Sequence, residues 1–291
     1  MLKTIRGLVR LTRHQDYLTF VTITTLFGAI AAEAVFGWRL VLVWLANLLT
    51  VCFAFMINDV EDAEDDALNP AKLNRNPISD KTITPRAGYM ASALVAGLAA
   101  VAYYPLGLVP FLLGLVSLAT CFLYSWRPVR LKNIFLLDMI SHCMMLAGLQ
   151  YLPAFYTFQS NMTLKGFFPF LFMISFSLYG ELFNELRDLE HDLMAGLRHT
   201  AAILGYRTTF RLMVAIAALG VISGFVSLLL VGLLPLWFLI FISTLTLIFI
   251  TPSLLKLQKK QTQLEIQRAF QVPIQNAAAI ALVVYFIIQA L

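Results

Sequence analysis

The chain has 291 residues, of which 60% are hydrophobic and 13% are charged. This composition, with a mean hydropathy of +0.81, excludes a soluble globular domain and predicts an all-α polytopic membrane protein, because a spanning helix needs about 20 mostly apolar residues. The net charge of +5 does not indicate a nucleic-acid partner, since the basic residues are spread over several loops.

Nine apolar segments follow one another along the chain and predict nine transmembrane helices. They cover residues 17–36, 40–58, 88–107, 108–126, 134–154, 166–184, 208–231, 234–255 and 270–290. The three cysteines lie inside these apolar runs without the spacing of metal ligands, so we interpret them as packing residues.

The basic residues test this topology. Nine spans place 19 of the 21 Lys and Arg residues on one side of the membrane and only Arg39 and Lys165 on the other. Because cytoplasmic loops carry an excess of Lys and Arg, we expect an integral protein of the cell membrane with its amino terminus and functional loops in the cytoplasm.

Two acidic windows follow the second and sixth segments and nearly repeat each other. Residues 58–66 and 184–192 share the pattern N-[DE]-x-x-D-x-x-x-D, and most of the 16 acidic residues lie in or beside them. Carboxylates at a membrane boundary are costly to hold together unless a cation joins them. Either window alone is typical of a solvated helix end. The matched pair on one face instead predicts divalent cations that carry a diphosphate.

The windows also suggest an internal repeat, because four predicted helices separate them. We expect a single transmembrane domain, residues 1–291, with pseudo-repeat halves of about 1–133 and 134–260 and a ninth helix added. Parallel repeats of this kind build a site at their interface, around a central cavity.

Residues four apart share one face of a helix, so each window presents an amide and two carboxylates in a row. The predicted metal ligands are Asn58, Asp62, Asp66, Asn184, Asp188 and Asp192. Oxygen ligands of this type suit Mg²⁺, and the four aspartates among them are the predicted catalytic residues. The remaining acids of the first window lie off this row and are expected to be solvated or to support the ligands, with Asp59 the best candidate for such support.

These motifs resemble the UbiA superfamily of intramembrane prenyltransferases. Residues 58–66 match the family's N-D-x-x-D-x-x-x-D motif, and 188–192 match its D-x-x-x-D motif. The stretch 196–205 resembles the family's G-x-[KR]-T-x-x-x-x-x-G segment, and 124–132 resembles Y-S-x-x-P-x-R-L-K. Arg13, ahead of the first span, resembles the family's amino-terminal arginine. The resemblance covers nearly the whole chain.

The resemblance implies Mg²⁺-dependent transfer of an isoprenyl group from a prenyl diphosphate to a hydrophobic acceptor in the bilayer. The acceptor would be an aromatic or quinone precursor, a lipid or a polyene. The loops after helices two and six would cap the site. Tyr124 is expected to face the allylic carbocation, whose charge an aromatic ring stabilises. The cations expected to bind the diphosphate are Arg75, Arg130, Lys132, Arg198 and Arg13.

Two departures from the family pattern leave the acceptor open. Residues 69–80 replace the usual R-P-I-P-S-G stretch and retain its arginine as Arg75, and Glu185 stands where aspartate is common. Two ionisable residues in or near apolar segments are also functional candidates. Asp138 is expected to pair with Lys132 or Arg130, and Glu181 to approach the acceptor. The four histidines show no metal-binding pattern.

Two rival functions remain open at this point. A terpene cyclase on the same scaffold would ionise the same diphosphate and trap the cation internally. A cation or phosphate-lipid transporter would place its acids at mid-membrane in broken helices, whereas these acids cluster at helix ends.

Overall fold

The computed structural model describes residues 2–68, 70–194, 196, 198–230, 232–255 and 263–291. Regular structure in these ranges is helical. The α-helices are α1 (Leu2–Thr12), α2 (Leu18–Ala31), α3 (Trp38–Glu61), α4 (Ala63–Ala67), α5 (Pro70–Leu73), α6 (Pro85–Tyr103), α7 (Leu108–Ser125), α8 (Leu137–Cys143), α9 (Leu149–Tyr156), α10 (Leu164–Met194), α11 (Thr200–Phe225), α12 (Leu236–Leu255) and α13 (Gln263–Ala290).

Among the described residues, seven helical stretches are long and apolar enough to cross a membrane. They are Trp38–Glu61, Pro85–Leu106, Leu108–Ser125, Leu164–Glu190, Thr200–Leu229, Leu236–Leu255 and Arg268–Ala290. The all-α membrane class is confirmed. The count of nine spans stays a prediction, because α2 has only 14 residues and the fifth predicted span consists of the shorter helices α8 and α9, joined by a π-helical turn at Met144–Gly148.

Helix α2 packs against α3, α9, α10 and α13. The other extensive pairings join α3 to α6, α10 to α11 and α12 to α13. The main apolar core lies around α2 and contains the fully buried rings of Tyr103, Tyr151 and Phe155. The three cysteines are free and buried, as the sequence predicts.

A buried hydrogen-bond cluster joins four helices within this apolar layer. The Asn47 amide nitrogen donates to Thr25 Oγ1 and to the Gln150 carbonyl, both at 2.7 Å, and the Tyr103 hydroxyl donates to Asn47 Oδ1 at 2.6 Å. Asn47 itself is completely buried. Because an unsatisfied polar group in an apolar interior is costly, these bonds fix how α2, α3, α6 and α9 pack.

The ends of α3 and α10 set the geometry of the two acidic windows. Helix α3 ends at Glu61, and Asp62 separates it from the short helix α4. Helix α10 instead runs unbroken to Met194 and carries the second window on continuous helix. The two windows are thus alike in sequence and different in backbone.

Candidate active site

The first window keeps its predicted face in spite of the helix break. The Asp62 backbone N–H donates to the Asn58 carbonyl at 2.9 Å, and the Asp66 N–H donates to the Asp62 carbonyl at 2.8 Å. This four-residue pattern continues the helical register across the break. The Asn58 amide nitrogen donates to Ser125 Oγ at 3.2 Å, which leaves its amide oxygen as the group able to bind a cation.

A cavity of about 70 Å³ lies at this window. Its walls carry carboxylate and amide oxygens together with basic side chains, a mixture that suits a metal ion and an anion bound side by side. The lining residues are Arg13, Asn58, Asp59, Asp62, Asp66, Lys72, Arg75 and Asn76. The structure therefore brings together three predicted ligands and two predicted diphosphate-binding arginines.

Asp62 is held by two cations from the segment after α7. Arg130 Nη2 lies 2.9 Å from Asp62 Oδ1, and Lys132 Nζ lies 2.5 Å from Asp62 Oδ2. Burial lowers the pKa of Lys132, while the Asp62 charge opposes that shift. Arg130 also bonds Asp65 Oδ2 at 2.8 Å, and this hydrogen bond lowers the Asp65 pKa.

Asp59 and Asp66 both line the cavity and have different partners. Arg13 Nη1 contacts Asp59 Oδ1 at 3.0 Å, and the guanidinium lies over the Phe55 ring, 4.6 Å from its centroid. The second carboxylate oxygen of Asp59 is buried and has no hydrogen-bond partner among the described residues. Asn76 donates to Asp66 Oδ2 at 3.1 Å. The free oxygen of Asp59 and the oxygen ligands around it fit a hard cation.

The second window is neutralised from within its own helix. Arg187 binds both carboxylate oxygens of Asp188, at 2.9 and 2.6 Å, and donates to Asn184 Oδ1 at 3.1 Å. The Asp188 side chain is 48% exposed. The side chain of Asp192 lies outside the described residues, so its predicted role as a ligand stays a prediction.

Buried acids beside the second window hold the start of α11. Asp138 accepts hydrogen bonds from the Thr200 backbone N–H at 2.5 Å and the Thr200 hydroxyl at 2.6 Å. Glu185 Oε2 accepts from the Ala201 N–H at 2.7 Å and lies 3.2 Å from His199 Nδ1. Acids at a helix amino terminus bind the free N–H groups there.

These contacts correct two expectations. Asp138 does not pair with Lys132 or Arg130; its carboxylate is committed to Thr200, which the sequence could not indicate because the partners are 62 residues apart. His199 does belong to a group able to hold a metal, since its ring lies within 4.8 Å of carboxylate oxygens of Asp138 and Glu185. Sequence spacing missed this group because each member comes from a different segment.

Tyr124 lies in the last turn of α7, one residue before Ser125, the partner of Asn58. Its ring lies 6.1 Å from the His142 ring of α8, centroid to centroid. Its predicted place near the reacting centre stays a prediction. Arg198 is exposed just ahead of α11, away from the lining of the small cavity.

Three further residues have places that the sequence did not predict. Glu61 was expected to be solvated or to support the ligands; it is buried and bonds the Tyr89 hydroxyl at 2.8 Å and the Arg127 backbone N–H at 3.1 Å. Lys72 and the buried Asn76 line the cavity. The Asn76-Pro77 dipeptide was the available signal, because such pairs mark ordered turns.

Comparison with known proteins identifies the family to which this architecture belongs. Residues 21–274 match the model of the UbiA prenyltransferase family. The chain belongs to the UbiA prenyltransferase family. The predicted family and enzyme class are thereby confirmed, and the chain is an integral membrane protein.

Individual relatives are distant in sequence and close in fold. A digeranylgeranylglyceryl phosphate synthase of Sulfolobus acidocaldarius is 24% identical over 208 residues, which cover 67% of this chain and 71% of that protein. A UbiA homologue of Archaeoglobus fulgidus, solved with GPP and Mg²⁺, has a TM-score of 0.72 at 18% identity, covering 98% and 100% of the two chains. The apo structure of a UbiA homologue of Aeropyrum pernix K1 has a TM-score of 0.69 at 16% identity, covering 94% and 98%.

Proposed function

We propose that this prenyltransferase moves an isoprenyl group from a prenyl diphosphate to a hydrophobic acceptor, with Mg²⁺, inside the membrane. The observation that carries the proposal is the small cavity, where predicted metal ligands and predicted diphosphate-binding arginines meet. The GPP and Mg²⁺ bound to the Archaeoglobus fulgidus homologue, which shares the fold, are consistent with it.

Asn58, Asp62 and Asp66 would hold Mg²⁺ in the first window, and Asn184, Asp188 and Asp192 would do so in the second. Mg²⁺ supplies neutralisation of the diphosphate charge, which the breaking C–O bond requires. Both oxygens of Asp62 now bind cations, so Arg130 and Lys132 would turn from this carboxylate towards the phosphates. The same two cations would then compensate the diphosphate charge.

The remaining arginines complete the anion site. Arg13 and Arg75 line the cavity and both contact Asp16, at 2.7 and 3.7 Å. Arg198 would approach from the start of α11. Asp59 would orient Arg13 from behind, since their contact is almost fully buried. A guanidinium is suited to this role because it donates two parallel bonds to a phosphate.

A second cavity, of about 1,060 Å³, lies between α10, α11 and α13. We assign the prenyl chain to it because six aromatic rings line it and Arg187 at its wall reaches Asp188. Rings of this kind pack against a prenyl chain and exclude the water that would quench the cation at its end. The lining rings are Phe176, Tyr179, Phe183, Tyr206, Phe210 and Phe270.

The test replaces one aspartate of each window. Asp62→Ala and Asp188→Ala should each abolish Mg²⁺-dependent diphosphate release in detergent or lipid, because each opens one metal row and leaves phosphate charge uncompensated. Glu64→Ala is the matched control, since Glu64 belongs to the first window but is 82% exposed and binds Arg127. The measurement is diphosphate release from C5 to C20 prenyl diphosphates, with aromatic and lipid acceptors.

Full activity in either aspartate variant contradicts the metal–diphosphate proposal. Release that requires an acceptor supports transfer and identifies the acceptor class. Release without any acceptor, accompanied by a cyclic hydrocarbon or alcohol, would instead identify a terpene cyclase.

A further inference from the structure

A histidine and a glutamate meet within the membrane layer, one helical turn deeper than the second window. His142 of α8 contacts Glu181 of α10 through its Nδ1 and the Glu181 Oε2 oxygen. Glu181 precedes Asn184 by three residues on the same helix. The side chains are only 18% and 14% exposed. Ionisable groups at such a depth are costly and mark functional sites.

The pair lies beside the predicted reacting centre. The Tyr124 ring of α7 lies 6.1 Å from the His142 ring, centroid to centroid. Tyr124 also interacts electrostatically with Glu181 and with Asp62 of the first window. His142 is therefore close to the residue expected to face the allylic cation, on the side of the second window.

The contact leaves one ring nitrogen of His142 available. Nδ1 is the atom that faces Glu181, at ion-pair distance and outside hydrogen-bond geometry, and Nε2 is the ring nitrogen on the other side of this contact. A carboxylate on one nitrogen of an imidazole orients the ring and makes the other nitrogen a better proton acceptor. This is the arrangement of a general base with a positioning group behind it.

We propose that His142 Nε2 accepts the proton that the acceptor loses, and that Glu181 positions His142 for this step. The inference rests on the proposed prenyl transfer. The donor C1–O bond breaks and diphosphate leaves with the electron pair. The acceptor oxygen, or an aromatic carbon, forms the new bond to C1 and gives its proton to Nε2. Glu181 stabilises the imidazolium until the proton passes to water.

The other acids near His142 hold the start of α11. Glu185 approaches from α10 and Asp138 from its own helix, in addition to Glu181. Both are committed to the amino terminus of α11 through Ala201 and Thr200. Of the residues in the described ranges that face His142, Glu181 is therefore the one whose carboxylate orients the ring.

The experiment separates ionisation of the donor from capture by the acceptor. Wild type, His142→Gln and Glu181→Gln would be assayed with geranyl diphosphate, Mg²⁺ and either 4-hydroxybenzoate or a 1-O-alkylglyceryl phosphate. Diphosphate, prenylated product and geraniol would all be measured. Glu33→Gln is the matched control, because Glu33 also pairs with a basic residue, Lys165, at the opposite end of the molecule.

His142→Gln should lower kcat for prenylated product about 10²-fold, the usual contribution of a general base, with the KM for geranyl diphosphate unchanged. Diphosphate release should persist and geraniol should replace the prenylated product. Glu181→Gln should show a smaller loss and move the acid limb of the kcat profile to a different pH, which a purely structural pair would not do. Glu33→Gln should match wild type.

Normal product formation by His142→Gln, with an unchanged pH profile, would overturn the base. If that variant does not fold, the wild-type profile decides: product formation that stays constant as His142 is protonated on the acid side also overturns it. Failure of the wild type to release diphosphate from any donor overturns the proposed transfer and the base with it. Release with normal product in all variants overturns the base alone.

Discussion

The two acidic windows have nearly the same sequence, but their charges are compensated in different ways. Asp59 and Glu185 occupy equivalent positions, and each is buried with one carboxylate oxygen that has no hydrogen-bond partner among the described residues. Asp59 pairs with Arg13, a side chain from the amino-terminal segment. Glu185 instead binds the backbone of α11 and His199.

This difference indicates that the two windows have different structural roles. Side chains can turn from an acid towards a phosphate, so the cations on the first window are transferable to a ligand. Backbone N–H groups at a helix terminus cannot turn away, so the acids beside the second window fix the position of α11. The first window is the adaptable half of the site, and the second is anchored to the scaffold.

The largest effect should follow from breaking the Arg13–Asp59 pair. Arg13→Gln leaves a buried carboxylate without a charged partner and should lower the free energy of unfolding by about 3 kcal/mol, because the loss of one partner in a buried pair is strongly destabilising. Thermal unfolding in detergent measures this. Adding Asp59→Asn should restore most of the loss, and Asp16→Asn, which removes only an exposed contact of Arg13, should have little effect. An unaltered Arg13→Gln protein would show that the pair carries no structural role.

An intermediate effect is expected from the anchor of α11. Asp138→Asn replaces an acceptor of two Thr200 hydrogen bonds by an amide that can accept only with its oxygen. We expect a loss of about 2 kcal/mol and faster hydrogen exchange confined to the first turn of α11. Exchange that rises equally across all helices would count against a local anchor.

The smallest effect on stability should come from Arg187→Gln. Its partner Asp188 is 48% exposed, and exposed ion pairs contribute less than about 1 kcal/mol. The melting temperature should therefore change little, in contrast to the loss of turnover that we expect for Asp188→Ala. A large fall in melting temperature for Arg187→Gln would show that the Arg187–Asp188 pair is needed for folding, which contradicts this prediction.

The apolar segments and the two windows could be predicted from the sequence because they depend on local pattern. Hydropathy over 20 residues locates a helix whatever its neighbours are. The break at Asp62 and the unbroken run of α10 to Met194 could not be predicted, since both windows have the same spacing of polar residues. The difference comes from what each helix end touches.

The partners of the acids were harder to predict than the acids themselves. The sequence predicts that Asp138 pairs with Lys132 or Arg130, because it follows the segment that contains them, yet its carboxylate binds Thr200. In the folded chain this carboxylate accepts hydrogen bonds from the start of α11 instead of pairing with a cation nearby in the sequence. Asp62 did take Arg130 and Lys132, the two cations of the matched segment, because that segment turns back over the first window.

The buried Asn47 cluster has a consequence for how the protein is made. Thr25 precedes Asn47 in the chain, whereas Tyr103 and Gln150 follow it, so α3 enters the bilayer before two of its three partners have left the ribosome. Until α6 and α9 arrive, the Asn47 amide lacks most of its hydrogen bonds in an apolar medium. The cost of burying the Asn47 amide in the bilayer is therefore offset only after α6 and α9 have been synthesised.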